Sequence, residues 1–430
     1  MRGVGGIGGL GRRTPESDEV SSIETSIFAF ATDLRDEGVD VVLDNVVERA
    51  GLGGVSLAVA YHHARDVFPH SPARKVRFLE GGAVFFRPQE RRYERLAIQP
   101  RVSDLARAAD PLAELVEKGT GRSIDVHAWT VFLHNYTLGR SHPDCVERNA
   151  FGDPYLTELC PANPEVRAYV AALAADVARY GVRTIVAESL HYHPLEHGYH
   201  HERYLIELGA SASFLLGLCF CEHCLAAARR LGVDAGAVRR AAVREIERVF
   251  DSEPAASGPE VLFSEVADLA AGEMEGYLRA REETVSSLVA EVAGALAGSE
   301  ARLAFMDPSG AAKGYATGRP TGDPSPSIAW RFGIDLPALE ANCDQLEIVG
   351  YAADPARLRT DLVSYREVTS PDAQLAAILR PMAPDCDRAE NLARKVELCA
   401  ELGLVRVDFY HYGLMRLRNL DWVSEALRGE

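Results

Sequence analysis

Short apolar stretches recur along the chain and alternate with stretches of helical periodicity. Eight of the apolar stretches are nearly continuous in hydrophobicity and rich in β-branched or aromatic residues, a pattern typical of strands buried on both faces. We predict strands at Ser26–Thr32, Val55–Tyr61, Ser123–Val131, Val182–Ser189, Ala301–Asp307, Asp344–Tyr351, Gln374–Pro381 and Leu404–Gly413.

Helical patterns with start and stop signals fill the intervals. Asn163–Tyr180 is the clearest, because Asn163 can cap the first turn, Pro164 suits the first helical position and Gly181 ends the pattern. We predict further helices at Val39–Ala50, Asp104–Lys118, Pro355–Val368, Asp387–Leu402 and Asn419–Arg428. Eight strands that alternate with helices predict an α/β protein built as one (β/α)₈ barrel (a TIM barrel).

A doubly wound open sheet is the alternative fold, and it would need a glycine-rich phosphate-binding turn after an early strand. The glycines near the N-terminus precede every predicted strand, so they do not meet that condition. Two long intervals interrupt the barrel pattern. We expect insertions at about residues 62–122 and 190–300, the second mostly helical over Asp234–Asp251 and Glu260–Gly298. We expect residues 1–22 to form a disordered tail ahead of a single barrel over residues 23–430.

Composition narrows the class of protein. The 430 residues are 47% hydrophobic and 25% charged, which is ordinary for a soluble globular protein. The formal charge of −17 argues against a nucleic-acid or anionic-membrane partner, since both attract basic surfaces. The sequence has no run of 18 apolar residues and no signal-peptide core. We therefore expect a cytoplasmic protein with a small-molecule ligand, and a homo-oligomer is compatible with this reading.

The predicted strand ends carry carboxylates, imidazoles and aromatic rings, and this fold projects its catalytic groups from those ends. Such a mixture suits a sugar, because rings stack on its apolar face and polar groups bond its hydroxyls. Glu188 follows the predominantly apolar run Thr184–Ala187 and Asp307 follows the apolar run Leu303–Met306, and burial there would raise the carboxyl pKa and favour proton donation. We predict that they are the catalytic carboxylate pair of a glycoside hydrolase acting on a small glycoside or oligosaccharide. The alternatives for the second carboxylate are Asp33, Asp66, Asp354 and Asp408.

The same strand ends predict residues that bind the sugar. These are His62, His127, Trp129, His191, Tyr351, Arg380, Tyr410 and His411. His127 and Trp129 alternate along one strand and so share a face, although a buried structural role for His127 fits equally well. The loop His191–His201 holds five histidines in eleven residues, which fits a lid, a divalent-metal site or a solvated loop.

Eight cysteines are present, and three of them lie within six residues. This spacing does not resemble a disulfide framework, and it indicates a reducing compartment. Cys219, Cys221 and Cys224 can occupy three corners of a tetrahedral Zn²⁺ site. The fourth ligand would be Cys160, with Cys145 or His223 as alternatives. A closed site of this kind would be structural, and the alternative is a reduced cluster without metal. We expect no organic cofactor.

Several motifs together resemble a group of hypothetical glycoside hydrolase-like barrels that are related to alpha-amylases. The matching segments are Val126–Trp129, Asn149–Asp153, Leu159–Arg167, Glu188 and Cys219–Cys224. The cysteine cluster is similar to the zinc site of certain barrel-type beta-galactosidases. The resemblance implies a barrel fold, a carbohydrate substrate and an acid/base role for Glu188.

The resemblance leaves the second carboxylate open. Many retaining glycosidases have Asn before the acid/base residue and a nucleophilic Glu after strand 7, where this chain has Ala187 and Arg380. Amylase-type barrels pair carboxylates after strands 4 and 5, which implies Glu188 with Asp307. Two other functions remain. One is a metal-dependent sugar isomerase, epimerase or lyase with Glu188, Asp307 and rim histidines as ligands. The other is a carbohydrate-binding barrel without catalysis.

Overall fold

Eight parallel strands close a barrel in the computed structural model, which describes residues 23–196, 202–251 and 260–429. The barrel strands β1 to β8 are Glu24–Ala29, Gly54–Tyr61, Asp125–Val131, Thr184–Glu188, Arg302–Asp307, Gln345–Val349, Leu375–Leu379 and Arg406–Phe409. Each strand pairs with the next, and β1 also pairs with β8, where Glu24 lies opposite Arg406. The predicted (β/α)₈ barrel is confirmed, and each predicted strand overlaps one of the eight. The predicted tail, residues 1–22, lies outside the described residues.

Helices surround the barrel and connect its strands. They are Ala31–Glu37, Val39–Asp44, Asp104–Ala108, Pro111–Thr120, Tyr136–Ser141, Pro164–Ala178, Gly209–Leu216, Glu222–Arg230, Ala235–Asp251, Phe263–Ala267, Glu273–Ala295, Ser309–Gly314, Leu336–Glu340, Pro355–Val368, Ala389–Glu401 and Asn419–Arg428. A π-helical turn at Asn45–Arg49 extends the second of these, and 3₁₀ turns lie at Glu90–Arg92, Ser325–Phe332 and Tyr412–Leu414. Among the described helices, none combines the length and apolar character that a bilayer crossing requires.

Two predicted helices are each divided in the structure, and local chemistry explains one of the breaks. The stretch Asp104–Lys118 forms two helices because Pro111 has no N–H with which to continue the first. The side chain of Asp110 accepts the backbone N–H of Ala113 at 3.2 Å and caps the second helix. The stretch Glu260–Gly298 breaks at residues 270–272, where all three residues have positive φ, between 56° and 89°.

Short strands build up the loops that follow β2 and β3. After β2, a hairpin pairs Arg65–Val67 with Val76–Phe78, and Ala83–Val84 then lies against β2 and against Arg101–Val102. After β3, a second hairpin pairs Val146–Arg148 with Pro154–Leu159. Both hairpins follow the C-terminal ends of barrel strands, so they rise beside the barrel mouth.

The segment between β4 and β5 has an apolar core of its own. Its helices bury Leu215, Val238, Ile246, Met274 and Leu278 against one another. The last of them, Glu273–Ala295, continues onto the barrel, where residues 285–292 pack in the layer between strands and helices. One long helix of this segment therefore packs directly on the barrel.

The barrel interior is filled by two kinds of side chain. Near the N-terminal end, Arg406 donates to Asp408 at 2.7 Å and to Glu347 at 2.8 Å, and all three are fully buried. Towards the C-terminal end, aromatic and aliphatic side chains replace these charges, among them Phe28, Trp129, Val186 and Ile378. Because the interior is packed, a ligand site in this fold has to form at the mouth, above the aromatic layer.

Candidate active site at the barrel mouth

Glu188 ends β4 and faces the barrel mouth. Along β4, Ile185 and Ala187 pack outward against the helices, whereas Val186 joins the interior cluster, so Glu188 shares the inward face. Trp129 donates its indole Nε1–H to Glu188 Oε2 from the neighbouring strand. Burial raises the pKa of Glu188, and the Trp129 hydrogen bond and the charges of His134 and His193 oppose that rise without cancelling it. A carboxyl in this setting retains its proton to a higher pH and can act as a general acid.

Aromatic rings frame the mouth around Glu188. The ring centroids of Tyr61 and Trp129 are 4.7 Å apart, and those of Trp129 and Tyr410 are 5.9 Å apart. Tyr351 lies 6.1 Å from Tyr410, and His62 stacks on Tyr61 at 4.2 Å. The rings of Tyr61, Trp129 and Tyr351 are at most 7% exposed, so they form a packed aromatic layer beside the Glu188 carboxyl group.

Arg380 supplies a fixed cation at the end of β7. Its guanidinium lies 3.9 Å from the centroid of Tyr351 and forms a two-point ion pair with Asp385, at 2.6 and 2.7 Å. It also donates to the Tyr315 carbonyl at 2.8 Å. Because these contacts hold the planar group in one orientation, Arg380 fixes the position of Tyr351 at the mouth.

The predicted sugar-binding residues divide into two sets. The structure brings five of them to the mouth: His62, Trp129, Tyr351, Arg380 and Tyr410. The other three are turned into the core. His127 lies one layer below Trp129, near Arg406, where burial lowers its imidazole pKa to about 3. His411 is fully buried with its ring 4.0 Å from that of Phe30, and buried His191 shares a hydrogen bond with the Tyr192 carbonyl at 2.8 Å.

The structure does not bring Asp307 to Glu188. Ala304 and Met306 of β5 face the interior, so Asp307 alternates to the helix side. Its carboxylate accepts the backbone N–H of Ser309 at 3.0 Å, the Ser309 hydroxyl at 2.7 Å and the Tyr365 hydroxyl at 2.5 Å. Tyr365 belongs to the outer helix Pro355–Val368. These three donors occupy Asp307 on the side of β5 away from the mouth.

Three of the alternative carboxylates are also engaged elsewhere. Asp408 is paired with Arg406 inside the barrel, and Asp354 caps the helix Pro355–Val368 through the N–H of Ala356 at 2.9 Å. Asp33 is buried and accepts the Phe30 N–H at 2.9 Å.

Asp66 differs from them, because it stands on the hairpin after β2 and its charge acts on the mouth. Burial raises the pKa of Tyr410, and the negative charges of Glu188 and Asp66 raise it further. Burial also raises the pKa of Tyr315; Arg380 opposes that rise, and the charges of Asp66 and Glu188 add to it. The charges of the two carboxylates therefore act on the same pair of phenols.

Asp33 should make the stability of the fold depend on pH. Burial raises its pKa to about 7, with a further rise from Glu37 and Asp36 and an opposing effect of His70. The unfolded carboxyl titrates near 3.9, so the neutral form stabilises the fold at low pH, and this contribution is lost as pH rises from about 4 to about 7. We expect Asp33→Asn to remove at most about 4 kcal/mol of that dependence. Unfolding free energies of both proteins at pH 5 and pH 8 would measure this pH dependence. If the free energies of wild type and Asp33→Asn changed equally with pH, the prediction would be contradicted.

Two buried carboxylates beside the mouth were missed by the sequence analysis. Glu147 and Glu158 lie on the hairpin after β3 and meet His134 and His193. Glu158 shares a hydrogen bond with His134 at 3.0 Å and lies 2.8 Å from His193 Nδ1, within ion-pair distance, and all four side chains are buried. The available signal was limited to Glu158, which lies between Thr157 and the apolar pair Leu159 and Cys160, because an acid in a largely apolar setting needs a buried partner.

Four thiols come together where the segment after β4 meets the barrel. Cys160 lies 3.5 Å from Cys221, 3.5 Å from Cys224 and 3.9 Å from Cys219, measured between sulfur atoms. A tetrahedron with Zn–S bonds of about 2.3 Å has edges of about 3.8 Å, so these separations fit a tetrahedral metal ion. Burial raises the pKa of Cys160 and Cys219, and a bound cation would favour their ionised form. The four buried cysteines could therefore hold a metal ion, whereas Cys145 is not part of this group.

The cysteine cluster is linked to the loop that follows β4. The Tyr192 hydroxyl lies 3.2 Å from the sulfur of Cys224, and the guanidinium of Arg281 lies 4.5 Å from the centroid of the Tyr192 ring. Tyr192 stands between His191 and His193, so its contacts fix both histidines relative to Glu188. The rest of the predicted histidine loop, residues 197–201, lies outside the described residues.

Comparison with known proteins shows which folds are similar to this one. No family model matches the chain, and no curated protein matches it in sequence. The beta-galactosidase from the psychrophilic Marinomonas ef1 aligns with 94% of this chain at a TM-score of 0.53 and 12% identity, and the chain spans 59% of that protein's length. The catalytic domain of beta-amylase from Paenibacillus polymyxa aligns at a TM-score of 0.49 and 11% identity, over 94% of this chain and 95% of that domain. The chain therefore shares the barrel fold of the beta-galactosidase.

Proposed function

We propose that the protein is a glycoside hydrolase in which Glu188 is the general acid. The observation that carries the proposal is the Glu188 carboxyl itself, which stands at the mouth with a raised pKa, bonded to Trp129 and surrounded by tyrosines. Glycoside cleavage requires a proton on the leaving oxygen, and a carboxyl with a raised pKa can supply it near neutral pH. The fold shared with a beta-galactosidase supports the same class of reaction.

We further propose Asp66 as the second carboxylate in place of Asp307. Asp66 is half-buried, and its charge reaches Tyr410 and Tyr315, the same phenols on which Glu188 acts. In this arrangement Glu188 protonates the leaving oxygen from one side of the mouth. Asp66 then attacks the sugar carbon or activates a water from the other side, and the separation of the two carboxyl groups decides which.

For the cysteine cluster we propose a structural zinc ion. Four sulfur ligands suit Zn²⁺, and a closed four-ligand site leaves no coordination position for a substrate. The ion would hold the segment after β4 against Cys160 and, through Tyr192, would keep the loop beside Glu188 in place.

A panel of 4-nitrophenyl glycosides with different sugars and both anomeric configurations tests the proposed activity. We expect release of nitrophenolate from at least one member, at a rate well above the spontaneous rate without protein. Tight sugar binding in calorimetry without turnover of any member would instead favour a binding barrel. Sugar isomerisation that stops on chelation, while the Tm is unchanged, would favour a metal-dependent enzyme.

A further inference from the structure

Three separate segments place metal-ligating side chains at one buried point beside the mouth. His134 follows β3, Glu158 lies on the hairpin strand Pro154–Leu159, and His193 follows β4. An isolated backbone bridge joins His134 to Glu158. The three residues are between 3% and 6% exposed, so they are held in the protein interior and not on a solvated loop.

The ligating atoms converge. Glu158 Oε1 lies 3.0 Å from His134 Nδ1, and Glu158 Oε2 lies 2.8 Å from His193 Nδ1. One nitrogen from each histidine and one carboxylate oxygen all lie within 4.8 Å of one another. Ligands at 2.0–2.2 Å from a common ion would be separated by roughly 3 to 4 Å, so small side-chain adjustments would complete a coordination sphere.

The charges at this point also favour a cation. Glu147 is 1% exposed, its Oε1 lies 3.8 Å from His193 Nδ1, and its Oε2 has no hydrogen-bond partner among the described residues. Two buried carboxylates thus face two imidazoles. Burying a carboxylate without full compensation is costly. A divalent ion would neutralise both carboxylates and would leave the imidazoles neutral.

We propose that His134, Glu158 and His193 form a binding site for a divalent transition-metal ion such as Zn²⁺, distinct from the cysteine cluster. Two imidazoles and one carboxylate are a ligand set that suits zinc and its neighbours better than Mg²⁺ or Ca²⁺, which prefer oxygen ligands throughout. Three protein ligands leave a coordination position for water or a substrate oxygen, which the closed cysteine site does not.

The site forms part of the wall of the mouth. The charges of His134 and His193 act on Glu188, and the ring of His62 lies 5.0 Å from that of His134. An ion at this point would therefore lie close enough to influence a ligand held by Glu188. The proposal does not depend on glycoside hydrolysis, because metal binding is measured without any substrate.

Metal content after loading with Zn²⁺ alone, followed by gel filtration, provides the test. We expect the wild-type protein to retain one ion per chain more than Glu158→Gln, whatever the cysteine cluster holds. His193→Ala should also bind one zinc ion fewer than the wild type. Cys219→Ala should keep the ion at His134, Glu158 and His193 and lose the ion at the cysteine cluster. The matched control is His70→Gln, since His70 forms a partly buried pair with Glu37 at 3.0 Å but belongs to neither group of potential metal ligands among the described residues.

Equal zinc content in wild-type and Glu158→Gln protein would overturn the proposal, provided that circular dichroism shows both to be folded. If Glu158→Gln fails to fold, the zinc content of His134→Gln is compared with that of the wild type. Equal zinc content in these two proteins would also overturn the proposal. Zinc that disappears entirely in Cys219→Ala would assign all binding to the thiols and would also overturn it.

Discussion

Glu188→Gln should lower kcat/KM for an unactivated glycoside by 10²–10⁴-fold, because removal of a general acid typically has an effect of this size. The amide introduced by this substitution would keep the shape of the side chain and could still accept the indole N–H of Trp129, so the fold should be retained. The loss should shrink for a dinitrophenyl glycoside, whose leaving group departs without protonation. An equal loss for both substrates would argue against an acid role for Glu188.

Asp66→Asn should cause a loss of the same order for both substrates, because a nucleophile or base is required whatever the leaving group. Asp387→Asn is the matched control: Asp387 lies in the loop after β7, is exposed and pairs only with the neighbouring Arg388, among the contacts of the described residues. Asp307→Asn should lower stability through its bonds to Ser309 and Tyr365 while turnover changes little. If Asp307→Asn were folded but inactive while Asp66→Asn remained active, Asp307 would be the second carboxylate.

Cys219→Ala should abolish metal binding by the cysteine cluster and lower the Tm by more than about 5 °C. Structural zinc contributes about 10–16 kcal/mol of binding free energy in small domains. About 5 kcal/mol of that would produce such a shift, because unfolding a chain of 430 residues carries an entropy of roughly 0.9 kcal/mol/K. Because Tyr192 contacts Cys224, we also expect weaker sugar binding at the neighbouring mouth.

Cys399→Ala is the control for this substitution. Cys399 is fully buried in the helix Ala389–Glu401 and is not one of the four clustered cysteines, so its replacement creates a small cavity and leaves the metal content unchanged. Metal content and Tm measured together separate the two effects. A Tm shift of equal size in both variants, with unchanged metal content, would show that the cluster has no stabilising ion.

The barrel could be predicted because buried parallel strands have continuous apolar sequences, which stand out from amphipathic helices. The hairpin formed by Val146–Arg148 and Pro154–Leu159 could not, since its strands have three and six residues and depend on the barrel beneath them. The helix Asp104–Lys118 was predicted as continuous because its periodicity runs through Pro111, although the missing N–H of that proline divides it.

The candidate site could be predicted only in part, and Glu188 and Asp307 show why. Each follows a predominantly apolar run, and a strand that is apolar on both faces does not reveal which residues point inward. The structure shows that Glu188 lies on the inward face and Asp307 on the outward face. The predictions that placed His127 and His411 at the mouth failed for a related reason. The sequence indicates which strand a residue belongs to, but not how deep in the barrel its side chain lies.

The hairpin strand Pro154–Leu159 has a consequence for how this protein can vary. Glu158 belongs to the histidine cluster at the mouth, and Cys160, two residues later, belongs to the thiol cluster. Insertion or deletion of one residue before Glu158 could be absorbed in the turn of the hairpin. The same change between the two residues would turn one of them to the opposite face. The spacing of Glu158 and Cys160 therefore couples the two clusters, and homologues that retain both should keep a single residue between them.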